Sequence, residues 1–499
     1  MLKSRCSDPT ARSDSMNEQS EDKNRTFILI SVLIGMLMSA IDTTIVLLAL
    51  PTMTVDLKAP FLDTIWVILV YLLVLATLTT QMGKLGDIFG RGRIFNAGFL
   101  IFIVGSAMAG ASPNVDFLII SRIVQGFGAV LLQANSNAII ADYFTAGERG
   151  RAFGITSMGW SIGGVLGIIL GGVITTFIGW RYIFYINVPI GLIGFFMAEK
   201  YIKDNRKSTV KIDYVGTALI IAILGLISYG AVEVASVGAN VTNISMVIVG
   251  LMILIPFAII EKRSKSPVID TRAFKNRKLS LSLMAATLQA IGFLSVLFIL
   301  IMYLQGVRGF SPFDASLILV PGYLLSSLLS PKMGKLSDRI PPGIVAGTGI
   351  LIMAMGIVVY LFLGVTSPIY LVIVGSIITG LGGSMFWPSN TSSVMSNSPR
   401  ELYGASSGLL RTLTNIGTLL SYVIAITVAA STVPRYVTFE VFLGIDKLQG
   451  NVSSKFVVGL HSALLVSMVI LVIGAIMSFI TGIKGKNATV FESGHSSGK

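Results

Sequence analysis

The composition of the 499-residue chain is that of a membrane protein, with 53% hydrophobic and only 12% charged residues. A soluble domain carries about 25% charged residues, so this composition excludes a soluble globular protein. The formal net charge is +13, but the basic residues cluster in alternate loops, so no nucleic-acid partner is required. With one Cys and two His, the chain offers no zinc-type ligand cluster, and we expect neither a metal nor a cofactor.

Apolar runs of about 20 residues recur from Phe27 to Ile483, each long enough to cross a hydrocarbon core about 30 Å thick. The sequence therefore predicts an all-α polytopic membrane protein with fourteen spans. In chain order, spans 1 to 14 are predicted at residues 27–50, 64–82, 94–111, 116–140, 152–175, 182–201, 214–233, 244–260, 280–304, 313–331, 343–363, 368–391, 404–430 and 457–482.

The distribution of Lys and Arg predicts the orientation of the chain. Most of the 37 basic residues lie in the loops and tails on the side of the two termini, with a dense run from Lys262 to Lys278. The positive-inside rule then places both termini in the cytoplasm. The first 25 residues lack the apolar core of a signal peptide. We expect a multi-pass protein of the plasma membrane.

An internal repeat divides the spans into two related sets. Gly83–Asp87 after span 2 corresponds to Gly334–Asp338 after span 10, and Gly126 in span 4 to Gly380 in span 12. Spans 1–6 and 9–14 are therefore predicted to be two related six-helix bundles of a kind found in rocking transporters. The predicted units are a polar tail at 1–26, a first bundle at 27–202, a linker with inserted spans 7 and 8 at 203–278, a second bundle at 279–483 and a tail at 484–499.

Asp42 lies in the middle of span 1, far from either end. An ionised carboxylate at this depth costs roughly 2.5–3.5 kcal/mol, so a compensating partner is required. Removal from water favours the protonated form of a carboxyl group, which makes Asp42 a candidate proton carrier. The alternative is a structural carboxylate bonded to a neighbouring helix.

Two cations lie inside spans. Arg122 is about two turns into span 4, and its repeat equivalent in span 12 is the neutral Ser376. This asymmetry favours a role for Arg122 in proton coupling, with a structural salt bridge as the alternative. Arg411, about two turns into span 13, aligns with Ser157 and is expected to snorkel or to bind backbone carbonyls.

The loop between spans 2 and 3 combines glycines with both signs of charge. Gly83 and Gly90 permit a tight turn, and Asp87 can pair with Arg91 to hold one conformation of the protein. A generic turn is the alternative, but recurrence of the motif at Gly334–Asp338 favours a conformational latch that includes Gly334 and Asp338.

Span 5 carries glycines four residues apart, which lie on one helix face where another helix can pack closely. We expect this face to seal the pathway between the two halves, whereas a static interface is the alternative. The face comprises Gly159, Gly163, Gly167 and Gly171.

Polar and aromatic residues within the spans are candidates to line a substrate cavity, with packing or an interfacial belt as the alternative for each. They are Trp66, Tyr71, Gln125, Gln133, Asn137, Tyr303 and Gln305. The expected partners are a small-molecule substrate, protons and the lipid bilayer, bound by a monomer.

These motifs resemble the signatures of the major facilitator superfamily, and more narrowly those of its fourteen-span drug:proton antiporters. The resembling segments are Asp42–Val46 with Ala49–Pro51, Trp180–Gly191, and Tyr303–Gln305 with Gly309–Pro312. The resemblance implies export of lipophilic compounds in exchange for protons. It assigns proton coupling to Asp42 and Arg122 and gating to Gly83, Asp87 and Arg91. Two positions depart from the family pattern: Leu47 stands in place of an Asn, and Ile168 in place of a Pro that is associated with antiport.

The predicted function is a proton-driven exporter that works by alternating access and is not an enzyme. No phosphate-binding loop of the Walker type is present in the sequence, which argues against ATP as the energy source. A single deep acid can neutralise at most one positive charge, so neutral or monovalent cationic substrates are expected. A proton-coupled uptake symporter for a metabolite and a membrane sensor without transport remain the alternatives.

Overall fold

The computed structural model describes residues 9–144, 149–204, 211–264, 266–269, 274–398, 403–432 and 452–483. Within these ranges fourteen helical segments are long and apolar enough to cross a membrane. The predicted all-α fold and the number of spans are therefore confirmed. The predicted C-terminal tail, 484–499, lies outside the described residues, as do residues 1–8 of the N-terminal tail.

The spans keep the numbers given above, and each predicted span falls on an observed helix, with ends that differ by a few residues. Span 1 is the exception, because its helix begins at Pro9, inside the segment predicted to be a polar tail. The helices of spans 1 to 14 are, in order, Pro9–Asp56; Phe61–Thr64 with Trp66–Phe89; Arg91–Gly110; Val115–Tyr143; Arg149–Phe177; Tyr182–Tyr185 with Asn187–Tyr201; Tyr214–Ser236; Val241–Arg263; Arg277–Met302 with the π-helix Tyr303–Val307; Pro312–Leu336; Pro342–Tyr360; Tyr370–Ser396; Tyr403–Thr432; and Val452–Gly482.

The packing of the spans repeats between the two halves of the chain. Span 1 packs on span 5 as span 9 packs on span 13, and spans 2 and 3 pack on span 4 as spans 10 and 11 pack on span 12. The halves meet where span 2 packs on span 13 and span 5 packs on span 10. These two contacts are related by the same repeat, because span 10 is the counterpart of span 2 and span 13 that of span 5. The residue boundaries assigned to the two bundles stay a prediction.

Spans 7 and 8 form a hairpin at the side of the molecule. They pack on each other, and span 7 also contacts spans 2 and 13. Thr427 Oγ1 of span 13 donates to the Ala231 carbonyl of span 7 at 3.2 Å. Span 8 exposes large apolar side chains such as Met252 and Ile255, as expected for a helix that faces lipid.

Side-chain caps fix several of the helix starts. The Asn114 side chain accepts from the Phe117 amide at 2.9 Å where span 4 begins. At the start of span 10, Ser311 Oγ accepts from the Asp314 amide at 3.1 Å. Such caps satisfy amides that lack a partner inside the helix, so the short connections end in a defined geometry.

The glycine face of span 5 packs on span 1 of the same half, so its contact is not the one between halves that we expected. A Cβ at Gly163 would lie 2.7 Å from Ala40 Cβ and 3.0 Å from the Leu37 carbonyl. Gly159, Gly167 and Gly171 likewise face Leu33, Thr44 and Ile45 of span 1. The residue that meets the other half is Gly172, which approaches Ser316 of span 10. The four-residue spacing therefore builds the interior of the first half, and the neighbouring glycine serves the interface.

Hydrogen bonds join the two halves near both ends of the bundle. On the side predicted to be cytoplasmic, Thr80 and Thr412 share a hydrogen bond of 2.8 Å, and Asn137 Nδ2 donates to Ser407 Oγ at 2.9 Å. On the opposite side, Gln305 Nε2 donates to the Leu48 carbonyl at 3.1 Å. A structure that opened to one side would have to break the contacts on that side.

The close packing of spans 1 and 5 predicts that Gly163→Ala destabilises the protein, because the added methyl group would overlap Ala40. Gly164→Ala is the matched control, since its added Cβ would have no atom within 4 Å apart from its chain neighbours and the backbone of its own helix. Overpacking costs about 1–3 kcal/mol, whereas Ala in place of an unhindered helical Gly stabilises by up to about 1 kcal/mol. Thermal unfolding of the purified protein should therefore show a lower midpoint for Gly163→Ala and an equal or higher midpoint for Gly164→Ala. Equal midpoints for the two variants would contradict the packing.

The hydrogen bond between Thr80 and Thr412 predicts that cysteines at these positions form a disulfide between the halves. The natural Cys6 is first replaced by Ser, which leaves no other thiol. Oxidation of Thr80→Cys/Thr412→Cys should reduce transport at least tenfold, because separation of spans 2 and 13 is blocked, and a reductant should restore it. The two single-cysteine variants are the controls. A fully cross-linked protein that transports at the normal rate would rule out movement at this contact.

Candidate functional site

The centre of the first half holds an ion pair that is shielded from solvent. Asp42 is 0% exposed and Arg122 is 1% exposed, and Arg122 Nη1 lies 2.6 Å from Asp42 Oδ2. The sequence singled out both residues separately, and the structure brings them together. Each therefore supplies the partner that a charge in an apolar interior requires.

Gln125 closes the network around the ion pair. Its Nε2 donates to Asp42 Oδ1 at 2.8 Å and to Ser106 Oγ at 2.7 Å, and its Oε1 accepts from Arg122 Nη1 at 2.5 Å. We predicted Gln125 to line a cavity, but the structure makes it part of the ion-pair network. Ser106 was missed, because a serine in an apolar span carries no signal of its own.

The remaining surface of Arg122 is covered by span 2 and span 6. Arg122 Nε donates to the Val67 carbonyl at 2.9 Å. The guanidinium carbon lies 4.1 Å from the centre of the Tyr71 ring and 5.7 Å from that of Phe184, distances suited to cation–π attraction. The Tyr71 hydroxyl is buried and lies close to the side chains of Asp42 and Thr43.

A glycine in span 3 allows the network to form. A Cβ at Gly105 would lie 2.5 Å from the Gln125 amide nitrogen, so only glycine lets spans 3 and 4 approach this closely. This approach brings Ser106 within reach of the Gln125 side chain. The backbone contact thus positions the hydrogen bond that orients Gln125 toward Asp42.

The other residues predicted to line a cavity are dispersed over the molecule. The ring centres of Trp66 and Tyr229, the latter in span 7, lie 5.8 Å apart. The Tyr303 hydroxyl donates to the Gly364 carbonyl at 2.7 Å. Asn137 and Gln305 form the contacts between the halves described above. Gln133 is 3% exposed, and neither polar atom of its amide has a partner among the described residues. The structure therefore does not gather these residues around one cavity.

Part of the predicted latch is assembled at the end of span 2. Arg91 Nε donates to Asp87 Oδ1 at 2.7 Å, and Arg91 Nη1 donates to both carboxylate oxygens of Asp142 at 2.8 and 2.9 Å. Gly90 turns the chain between spans 2 and 3 at φ +107°, a conformation that favours glycine. Gly83 packs against Ala134, with 3.7 Å between its ideal Cβ and the Ala134 carbonyl oxygen. The loop therefore clamps span 2 to span 4.

Two acids of this latch were missed by the sequence reasoning. Asp142 ends span 4, and Asp204 follows span 6, where its Oδ1 accepts from the Gly92 amide at 2.8 Å and its Oδ2 lies 3.2 Å from Arg93 Nε. Their positions at helix ends beside a basic loop were an available signal, but the sequence does not reveal which helix ends meet.

The corresponding loop of the second half is not assembled in the same way. Asp338 is exposed and makes no ion pair within the described part of the chain. Gly334 lies beside Pro388, and an ideal Cβ at Gly334 would be 3.6 Å from Pro388 Cβ. Both loops were predicted to form a latch, but the ion pairs of a latch are observed only in the loop of the first half, within the described residues.

The molecule has two halves of six spans each, with related packing, and one half buries a charge pair. This arrangement is that of a secondary transporter of small molecules. The family profile of the Major Facilitator Superfamily matches residues 32–422, and the chain belongs to this superfamily. It is accordingly not an enzyme but a multi-pass transporter of the plasma membrane.

Named relatives agree with this class. The chain is 32% identical over 399 residues to the riboflavin transporter RibZ of Clostridioides difficile, covering 79% of this chain and 86% of the relative. It is 29% identical to the tetracenomycin C resistance and export protein of Streptomyces glaucescens, over 78% of this chain and 73% of the relative. A crystal structure of a bacterial homologue of the human lysosomal transporter Spinster, in an inward-facing conformation, shares the fold with a TM-score of 0.65 and 17% identity, over 92% of this chain and 97% of that one.

Because the latch is assembled only in the first half, we predict that the loop after span 2 and the loop after span 10 respond differently to loss of their acids. Asp142→Asn removes the carboxylate that binds Arg91, and a partly exposed ion pair is worth up to about 1 kcal/mol, so transport in proteoliposomes should change by about fivefold. Asp338→Asn, in the second loop, should leave the rate within about twofold. Equal effects of the two substitutions would show that the difference between the loops has no functional weight.

Proposed function

We propose that the chain is a proton-driven exporter of lipophilic small molecules, working by alternating access with both termini in the cytoplasm. The observation that carries this proposal is the buried network of Asp42, Arg122 and Gln125. Asp42 is a titratable group held inside the membrane, and the cation Arg122 is its immediate partner. Such groups mark proton relays in transporters.

Protonation of Asp42 would change the balance of forces within the network. The neutral carboxyl group loses its ion pair with Arg122, and a buried cation without a counter-charge is costly. Arg122 would retain the Gln125 side-chain oxygen and the Val67 carbonyl, neither of which carries a charge. Protonation therefore favours a rearrangement of spans 1, 2 and 4, the spans that hold these groups.

A packing route leads from Asp42 to the interface between the halves. Thr44, two residues after Asp42, donates to the Gly164 carbonyl of span 5 at 3.4 Å. On span 5, Gly172 approaches Ser316 of span 10 in the other half. A shift of span 1 upon protonation would thus reach the contact between spans 5 and 10, which must change during alternating access.

The charge of the cargo follows from the pairing of Asp42. Neutral or monovalent cationic substrates were expected, because a single deep acid can neutralise at most one positive charge. Since Arg122 already neutralises Asp42, charge balance gives a cation no advantage, and we propose lipophilic neutral or singly charged molecules. The names of relatives support export: one of them is described as a resistance and export protein.

Uptake of a metabolite with protons is a second candidate. The relative at 32% identity is named a riboflavin transporter, which supports a metabolite as the substrate. The direction of transport relative to the proton gradient distinguishes the two functions.

Asp42→Asn should uncouple transport from the proton gradient, because the amide keeps the shape of the carboxyl group but cannot carry a proton. In proteoliposomes with an imposed pH gradient, we expect gradient-driven movement of a lipophilic dye to fall at least a hundredfold. Exchange of dye across the membrane without a gradient should remain.

Asp63→Asn removes an exposed acid from the short helix Phe61–Thr64 at the start of span 2 and serves as the control. Dye movement opposite to the proton flow in the wild type supports export, whereas movement in the same direction supports uptake. Undiminished gradient-driven transport by Asp42→Asn would refute the assignment of Asp42 as the proton carrier.

A further inference from the structure

Arg411 has an unusual environment for a cation inside a membrane span. Its guanidinium carbon lies 4.8 Å from the centre of the Trp160 ring in span 5. No ion pair or hydrogen bond of its side chain occurs within the described residues. Of the two expectations for Arg411, binding to backbone carbonyls is not met within the described residues, and snorkelling stays a prediction. The principal contact of its side chain is one aromatic face.

The contact between Arg411 and Trp160 joins span 13 of the second half to span 5 of the first half. Span 13 packs on span 2, and span 5 packs on span 10, so these two lines of contact bound the space between the halves. A side chain that joins span 13 to span 5 crosses this space. Both Arg411 and Trp160 are partly exposed, so a ligand entering between the halves would meet them.

Arg411 carries its charge deep inside a membrane span, where a charge without a partner is costly. Arg411 is eight residues from the start of its helix at Tyr403, about 12 Å at 1.5 Å per residue. The membrane-crossing part of span 1 begins at Asn24 and that of span 13 at Ala405. Within the membrane-crossing parts of the described spans, the Asp, Glu, Lys and Arg residues that lie six or more positions from either end are Asp42, Arg122 and Arg411. Because Asp42 and Arg122 neutralise each other, the positive charge of Arg411 has no counter-charge among these deep residues of the described spans.

We propose that Arg411 and Trp160 form a substrate subsite that selects aromatic monoanions over neutral and cationic compounds of the same shape. This inference rests on the proposed transport function and specifies its substrate class. An anion supplies the missing counter-charge, whereas a cation is repelled by Arg411 and finds Asp42 already occupied by Arg122.

The chemistry of the two side chains fits a planar ligand with an acidic group. A carboxylate can accept two parallel hydrogen bonds from a guanidinium group, an arrangement stronger than neutral hydrogen bonds. The aromatic ring of the ligand can then pack on the indole face that the guanidinium now covers. Binding would thus replace a contact between the halves by contacts to the ligand, which links substrate binding to their separation.

Three isosteric compounds of different charge test the proposal on the purified full-length protein: 2-naphthoate, 2-naphthamide and 2-naphthamidinium. Equilibrium dialysis, without any gradient, measures the affinity of each. We expect the wild type to bind the naphthoate at least tenfold more tightly than the amide, and the amidinium most weakly. Failure of the naphthoate to bind, or binding no tighter than that of the amide, would overturn the proposal without the use of any variant.

Variants locate the selectivity. Arg411→Gln should reduce the affinity for the naphthoate to that for the amide and leave binding of the amide within about twofold, which also reports a folded protein. Arg411→Lys should retain part of the selectivity, and Lys332→Gln, which removes an exposed cation of span 10, should retain all of it. Full selectivity in Arg411→Gln would overturn the assignment.

The experiment separates this inference from the proposed function. Asp42→Asn should keep the charge selectivity, since Asp42 belongs to a different network. Charge selectivity without gradient-driven transport would refute proton-driven export alone, and gradient-driven transport without charge selectivity would refute the aromatic-monoanion subsite alone.

Discussion

The first half of this transporter is organised around one constraint: a charge in an apolar interior must find its partners within the protein. Asp42 on span 1 meets Arg122 on span 4, and Gln125 links the carboxylate to Ser106 on span 3. Arg122 also binds the Val67 carbonyl of span 2. One network therefore ties four of the six spans together, so a change in the charge of Asp42 is felt by all of them.

Glycine makes this network possible, because short hydrogen bonds between side chains require the helix axes to lie close together. At Gly105 any side chain would meet the backbone of Gln125, and at Gly163 it would meet Ala40, two residues before Asp42. The many glycines of the chain thus have a specific use. In a bundle surrounded by lipid, tight van der Waals packing replaces the hydrophobic effect as the force that joins helices.

The two halves share packing but not chemistry. Ser376 occupies the position in span 12 that Arg122 occupies in span 4, and a Cβ at Gly322 of span 10 would lie 2.5 Å from the Ser376 carbonyl carbon. A small residue there lets spans 10 and 12 approach closely, whereas a guanidinium would require a counter-charge and space. The second half instead presents its deep cation, Arg411, to Trp160 of the first half. The repeat thus conserves a scaffold on which each half carries a different charged group.

Local properties of the sequence determined the fourteen spans, the internal repeat and the importance of Asp42 and Arg122. Span length and hydropathy reflect the thickness of the bilayer, and a charge in an apolar run stands out without knowledge of its neighbours. The tertiary structure alone decided which groups meet: Ser106 with Gln125, Asp142 with Arg91, the span 5 glycines with span 1, and Arg411 with Trp160. These pairings join residues far apart in sequence, and they depend on how the helices cross and rotate. The periodicity of a single helix carries no information about the face that its neighbour presents.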